Sequence, residues 1–160
     1  MLQPPSASAA LGLAQTLDPA IESDGALMEI SATVTSSTSA HAATVRTGAV
    51  TQSLAVPPKA TGLGSSVNGG EFLMLALATC YCNDLYREAA RLRIPIEGAE
   101  VEATAEFPGV GLAATHIRYR AVVKSSASAE AIAQLFRETD AVAEVHNTVR
   151  AGVPIELLRE

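Results

Sequence analysis

The chain has 160 residues, 48% of them hydrophobic and 18% charged, a composition that predicts one globular domain with one buried core. Its formal net charge of −6 argues against nucleic acid as a partner, because phosphate binding needs clustered basic side chains and the eleven present are scattered. The longest nearly apolar run, Phe72 to Cys82, is shorter than the roughly 20 residues of a membrane-spanning helix, so no membrane partner is expected.

The start of the chain carries no recognisable targeting signal. Residues 1–14 contain Pro4 and Pro5 among small residues, without the basic and apolar regions of a signal peptide. We expect residues 1–24 to be a flexible or swapped N-terminal arm and residues 25–160 to form a single domain. The two cysteines, two positions apart, cannot form a disulfide framework, which favours a reducing, cytoplasmic location.

Three strands are predicted in the first part of this domain, where large apolar and polar residues alternate and β-branched side chains are frequent. They are predicted at residues 26–35, 42–46 and 50–56. The short spacers between them suggest hairpins or a meander. Pro57 and Pro58 end the third strand, and the glycine-rich segment 59–70 is predicted to be a loop.

A long apolar helix is predicted after this loop, ending before Pro95. Its first half is apolar on all sides, so we expect burial there and emergence from the core only after Asn83. The helix carries Cys80 and Cys82, which point about 200° apart because an α-helix has 3.6 residues per turn. The two thiols therefore cannot share a metal ion or form an unstrained disulfide, and we predict no metal site.

The remaining elements follow from alternation and capping signals. Strands are predicted at residues 99–107 and 116–123, joined by a turn at 108–111. A helix capped by Ser128 is predicted over residues 129–139, and a last short strand over 153–158. This order of elements is typical of an α+β fold and differs from the regular alternation of a doubly wound sheet.

The helix start and the turns after it resemble a known family signature. The segment Asn68 to Cys80, NGGEFLMLALATC, resembles that of the osmotically inducible protein C (OsmC) and organic hydroperoxide resistance (Ohr) family, in which a leucine- and alanine-rich helix leads to a reactive cysteine. The order of elements extends the resemblance over about residues 26–158. It implies an OsmC-like α+β fold with N-terminal antiparallel strands, a long buried cysteine helix, further strands, a second helix and an intertwined homodimer.

The same resemblance implies that Cys80 is a peroxidatic thiol, that Arg46 stabilises its thiolate and the leaving alkoxide, and that Glu71 orients Arg46. Such a thiol needs a pKa below its ordinary value of about 8.5. A solvated hairpin arginine at 46 and a simple helix-dipole role for Glu71 are the alternatives. Arg87, two turns after Cys80, is a second candidate cation, and Asp84 is expected to raise the thiol pKa unless it is paired.

Peroxidases of this family carry a resolving cysteine just after the second helix, where this chain has Glu144 and His146. Cys82 is expected to be a packing residue. Three outcomes follow: a one-cysteine peroxidase reduced by an external thiol, a disulfide between Cys80 and Cys82 that needs local unwinding, or a relative without peroxidase activity.

The favoured function is therefore thiol-dependent reduction of organic hydroperoxides to alcohols, with an external thiol reductant and no cofactor. The alternative is a non-catalytic OsmC-like protein that binds an apolar ligand at the dimer interface. A purely structural thiol is a third reading of Cys80, and it predicts slow alkylation of both cysteines.

Overall fold

A computed structural model describes residues 27–159 of the chain. The elements within these residues are β1 (Ile30–Ser36), β2 (His41–Thr47), β3 (Val50–Leu54), α1 (Gly69–Leu92), β4 (Gly98–Glu106), β5 (Thr115–Lys124), α2 (Ala129–Val142) and α3 (Glu144–Ala151). The prediction of an α+β fold is confirmed by this order. The arm predicted for residues 1–24 lies outside the described residues. No described helix combines the length and apolar character needed to cross a bilayer.

The described residues fall into two compact units, one comprising 27–35 and 42–55 and the other 36–41 and 56–159. The first unit contains most of a three-stranded sheet in the order β1-β2-β3. Strands β2 and β3 pair antiparallel, from Ala43 opposite Leu54 to Thr47 opposite Val50. Gly48 has a φ of 54° in the turn between them, a left-handed conformation that glycine adopts without steric cost. The three predicted strands are thus confirmed, with shifted ends.

In the second unit, α1 begins and ends at recognisable signals. The Asn68 side chain accepts a hydrogen bond from the Glu71 backbone N–H at 3.0 Å, and the Glu71 carboxylate accepts one from the Asn68 N–H at 2.7 Å. This capping box satisfies backbone donors that a helix start leaves unpaired. At the other end Arg93 adopts a left-handed conformation with a φ of 58°, and Pro95 follows. The predicted helix is confirmed.

The burial of α1 differs from the prediction, because within one chain its second half carries most of the buried residues. The side chains facing the core are Leu77, Tyr81, Asp84, Leu85, Glu88 and Ala89. Leu75, in the first half, is 58% exposed. The reason is tertiary: β4 and α2 pack against α1, and they meet a stripe with a period of about four residues. The expectation that the helix emerges after Asn83 is therefore wrong.

Strands β4 and β5 form an antiparallel hairpin in register from Gly98 opposite Lys124 to Thr104 opposite Arg118. Alternate residues of β4 are half-buried, and those between them are exposed. This pattern matches the period of two on which the strand predictions rest. Helix α2 starts at the predicted Ser128 cap, whose hydroxyl accepts a hydrogen bond from the Ala131 N–H at 3.2 Å.

The end of the chain departs from the prediction. Residues 153–159 form no strand in the described structure, so the strand predicted at 153–158 is wrong. A third helix, α3, precedes them instead, separated from α2 by Ala143 alone. Gly152 ends α3 with a φ of 61°. Pro154 lacks a backbone N–H and so cannot donate a ladder hydrogen bond. Among residues 27–159, no strand pairs with this segment.

Candidate functional site

Cys80 lies half-buried on α1, beside two carboxylates. Its thiol donates a hydrogen bond to Asp84 Oδ2 at 3.3 Å, and Glu144 Oε2 lies 3.9 Å from the sulfur. Asp84 is one helical turn further along α1, whereas Glu144 is the first residue of α3. The backbone N–H of Val145 also faces the sulfur. Two distant segments of the chain therefore build the surroundings of this thiol.

Arg87 binds both carboxylates from the side opposite the sulfur. Its Nη1 lies 2.9 Å from Asp84 Oδ1 and 3.6 Å from Glu144 Oε1. Each carboxylate thus turns one oxygen toward the guanidinium and the other toward Cys80. We call Cys80, Asp84, Arg87 and Glu144 the Cys80 cluster. In it Arg87 partly neutralises two acids, and its contact with the buried Asp84 is shorter than its contact with Glu144. Outside the cluster Arg87 also pairs with Glu88 at 3.5 Å.

The cluster shifts the pKa of its thiol upward. Burial raises the pKa of Cys80 most, and the charges of Asp84 and Glu144 raise it further, while the Val145 N–H lowers it. Burial also raises the pKa of Asp84, against the lowering effect of Arg87. Asp84 is paired, yet its charge still acts on the thiol. Within this unit Cys80 therefore rests as a thiol beside a carboxylate that can accept its proton.

Arg46 lies on β2, in the other unit. Its guanidinium pairs with Glu29 at 2.5 Å and donates to Ser31 Oγ at 3.3 Å and to the Gly48 carbonyl at 3.1 Å. These contacts hold it against its own sheet. That Arg46 stabilises a Cys80 thiolate stays a prediction.

Glu71, the predicted orienter of Arg46, is exposed, and its carboxylate closes the capping box of α1. A cleft of about 380 Å³ opens beside it, lined by Asn68, Gly70, Glu71, Met74, Ala105 and Phe107. A Cβ at Gly70 would lie 2.9 Å from Phe107 Cζ, so glycine allows the ring to approach the helix start. The orienting role of Glu71 stays a prediction.

Cys82 is half-buried and lines a cleft to which no residue of the Cys80 cluster contributes. This cleft, of about 280 Å³, is formed by Leu75, Ala78, Thr79, Cys82, Asn83 and Val101. Both cysteines are free thiols. The two therefore occupy different surroundings, as their spacing on a helix requires.

His146 lies in the core, on the same short helix as Glu144. It is 3% exposed, and its ring packs edge-on against Tyr119 at a centroid distance of 4.4 Å and against Tyr81 at 5.6 Å. Neither ring nitrogen has a hydrogen-bond partner in the described part of the chain. Burial lowers the pKa of His146, with a further lowering by Arg150.

Two residues near the Cys80 and His146 sites, Arg150 and Val145, were not predicted, because no local sequence pattern marks them. Arg150 binds Asp140 Oδ1 at 2.6 Å and donates to the Tyr119 hydroxyl at 3.2 Å, and Tyr119 in turn donates to Asp140. Val145 reaches Cys80 through its backbone alone. By contrast, the spacing of Cys80, Asp84 and Arg87 along one helix is a signal that sequence reasoning can use.

Among residues 27–159, one group of potential metal donors lies close together: Cys80 Sγ and carboxylate oxygens of Asp84 and Glu144, all within 4.8 Å of one another. The Arg87 guanidinium binds Oδ1 of Asp84 and Oε1 of Glu144, whereas Oδ2 and Oε2 face the sulfur. That no metal binds at this group stays a prediction.

A comparison with protein-family profiles shows the family. A family profile described as OsmC-like protein matches residues 62–158, more than half of the chain. A search of curated protein sequences gives no match. Among solved structures, an OsmC-like protein from Mycoplasma pneumoniae is similar with a TM-score of 0.58 and 19% identity, over 79% of this chain and 89% of that one.

Two further structures are more distant. An OsmC-like hydroperoxide resistance protein from Jannaschia sp. has a TM-score of 0.47 and 14% identity, over 73% of this chain and 80% of that one. An OsmC-like protein of unknown function from Vibrio cholerae has a TM-score of 0.49 and 13% identity, over 77% and 93%. Since the profile spans the cysteine helix and every described element after it, the chain belongs to the family of OsmC-like proteins.

Proposed function

We propose that this OsmC-like chain reduces organic hydroperoxides to alcohols through one reactive cysteine, Cys80. The observation that carries the proposal is the hydrogen bond of 3.3 Å from the half-buried Cys80 thiol to the buried Asp84 carboxylate. A thiol next to a proton acceptor can lose its proton as it attacks, so it need not be a thiolate beforehand. This reconciles a raised thiol pKa with nucleophilic chemistry.

In the proposed step, the bonds formed and broken and the transferred proton are all accounted for. The Cys80 sulfur attacks the distal, hydrogen-bearing oxygen of the hydroperoxide, an S–O bond forms, and the O–O bond breaks. The thiol proton passes to Asp84 and from there to the departing alkoxide, which leaves as an alcohol. Cys80 ends as a sulfenic acid. The raised pKa of Asp84 suits it to both proton transfers, because its proton affinity lies closer to that of the thiol.

The reductant has to be a thiol from outside the chain. Glu144 lies beside Cys80, and Cys82 lines a cleft that excludes the Cys80 cluster. A first external thiol attacks the sulfenic acid to form a mixed disulfide and water, and a second releases Cys80 as a thiol together with an external disulfide. The chain then needs no second cysteine of its own.

The test is a peroxidase assay combined with trapping of the oxidised cysteine. With cumene hydroperoxide and a dithiol, we expect continuous peroxide loss, and without the dithiol one sulfenic-acid adduct that peptide mass spectrometry places on Cys80. Hydrogen peroxide should react more slowly, because a small polar molecule gains little from a half-buried site. If the assay shows no turnover and trapping shows no adduct, the proposed peroxidase activity is excluded.

A second candidate function is the binding of an apolar ligand without chemistry. It is favoured by the raised pKa of Cys80, which keeps the thiol protonated, and by the cleft at the start of α1, to which Met74, Ala105 and Phe107 contribute apolar surface. This function is the conclusion to draw if cumene hydroperoxide gives no turnover while an apolar fluorescent probe binds and is displaced by long-chain acids.

We further propose that the chain acts as a homodimer. In one chain the large apolar side chains of Ile30, Val34 and Val50 are 58 to 66% exposed, and Ile155 is 99% exposed. Soluble monomers rarely leave so many large apolar groups in water, and a second copy is the commonest cover. Light scattering at micromolar concentration should give twice the chain mass of 16.5 kDa. A mass of one chain would contradict the proposal.

A further inference from the structure

A buried histidine that the proposed reaction does not use lies on the helix that brings Glu144 to Cys80. His146 is 3% exposed, and both of its ring nitrogens lack a hydrogen-bond partner among residues 27–159. A neutral imidazole so placed already leaves a donor and an acceptor unsatisfied. A protonated imidazole would also place a positive charge in this buried position.

The groups around His146 offer little compensation for that charge. Tyr81 from α1 and Tyr119 from β5 present aromatic rings, and Asp140 from α2 is the acid whose charge acts on the imidazole. Asp140 is already bound by Arg150 of α3 at 2.6 Å and by the Tyr119 hydroxyl. The positive charge of Arg150 also opposes protonation of His146. Protonation therefore adds a cation beside an acid that Arg150 already neutralises.

The position of His146 links the free-energy cost of protonating its ring to the surroundings of Cys80. Glu144 and Val145, the two residues before it, contact the Cys80 sulfur through a carboxylate and a backbone N–H. Helix α3 has only eight residues, and His146 is its buried residue. A short helix owes its stability mainly to such packing. If His146 leaves the core, the first turn of α3 loses the contact that holds it beside Cys80.

We propose that His146 is a positioning residue that holds α3 against Cys80 only while its imidazole is neutral, so that acid loosens α3 and exposes the Cys80 thiol. The direction of the pH dependence follows from the lowered pKa of His146 in the folded chain. Burial lowers the pKa of His146 in the folded chain, so the opened state binds the proton more tightly and opening grows as the pH falls below the ordinary value of about 6.5. The proposal does not depend on peroxidase activity.

The experiment measures the ratio of the labelling rates of Cys80 and Cys82 by a maleimide between pH 7.5 and 4.5. Cys82 serves as the internal reference on the same helix, because a maleimide reacts with the thiolate of either cysteine. In the wild type the ratio should rise by up to about tenfold per pH unit below about 6.5, until the lowered pKa of His146 is reached, and by less where the half-buried Cys80 reacts without opening.

Two variants make the result specific. His146→Phe keeps an aromatic ring in the core but cannot be protonated, so its ratio should stay flat. His116→Phe removes a histidine whose side chain is 58% exposed, and it should keep the full rise. A flat ratio in the wild type, or the same rise in His146→Phe, would overturn the proposal.

Hydrogen exchange gives a readout that does not depend on either variant folding. In the wild type, acid should speed exchange at residues 144–151 relative to α1, after correction for the intrinsic rate at each pH. Faster exchange confined to α3 supports the proposal. Equal acceleration along α1 and α3 contradicts it, because general destabilisation would then be the cause.

Discussion

Replacing Cys80 by serine should reduce dithiol-dependent turnover of cumene hydroperoxide by roughly 10³-fold or more, to the background rate. A serine hydroxyl is a far weaker nucleophile, and it cannot form the sulfenic acid that the external thiol reduces. The measurement is the initial rate of peroxide loss at equal concentrations of folded protein, checked by circular dichroism.

Cys82→Ser is the matched control, because it changes the same atom two residues along the same helix. It should keep most of the activity, since the Cys82 thiol lines a separate cleft. Equal loss in both variants would show that a disulfide between the two cysteines is required, as in a cycle with local unwinding. Full activity in Cys80→Ser would remove Cys80 from the reaction.

Asp84→Asn should have two opposite effects on the same thiol. The substitution removes a negative charge that raises the thiol pKa, and the amide N–H of asparagine can donate to a thiolate, so the pKa should fall. Alkylation by iodoacetamide at pH 7 should therefore become faster. Peroxide reduction should become slower, by about 10²-fold, because the group that delivers a proton to the alkoxide is gone.

The two rates, measured on one protein sample, separate the roles of Asp84. Glu138→Gln is the control, because Glu138 pairs with Arg91 at 2.6 Å and does not enter the Cys80 cluster. It should change neither rate. If peroxide reduction instead accelerates with alkylation in Asp84→Asn, thiolate content alone limits the reaction and Asp84 has no part in proton transfer.

The regular elements were predictable because their signals are local. Alternation with a period of two marks β4, and the Ser128 cap marks the start of α2. The third helix was missed because eight residues directly after another helix carry too short a pattern. The predicted strand at 153–158 failed because a strand needs a pairing partner, which a local apolar pattern does not supply.

The candidate site divides in the same way. Cys80, Asp84 and Arg87 share a helix, so their sequence spacing alone brings them to one side of it. Glu144 is 64 positions from Cys80, and only the packing of α3 against α1 brings its carboxylate to the sulfur. The raised thiol pKa depends on that packing, because burial is its largest cause.

The sequence by itself therefore determined the family, the cysteine helix and the carboxylate one turn from Cys80, because these depend on residues close together in the chain. Only the tertiary structure decided which half of α1 is buried, that Glu144 faces the thiol and that His146 lies in the core without a hydrogen-bond partner among residues 27–159. Burial and the distances between charged groups depend on how distant segments pack together, and the hydrophobic pattern of one segment does not predict them.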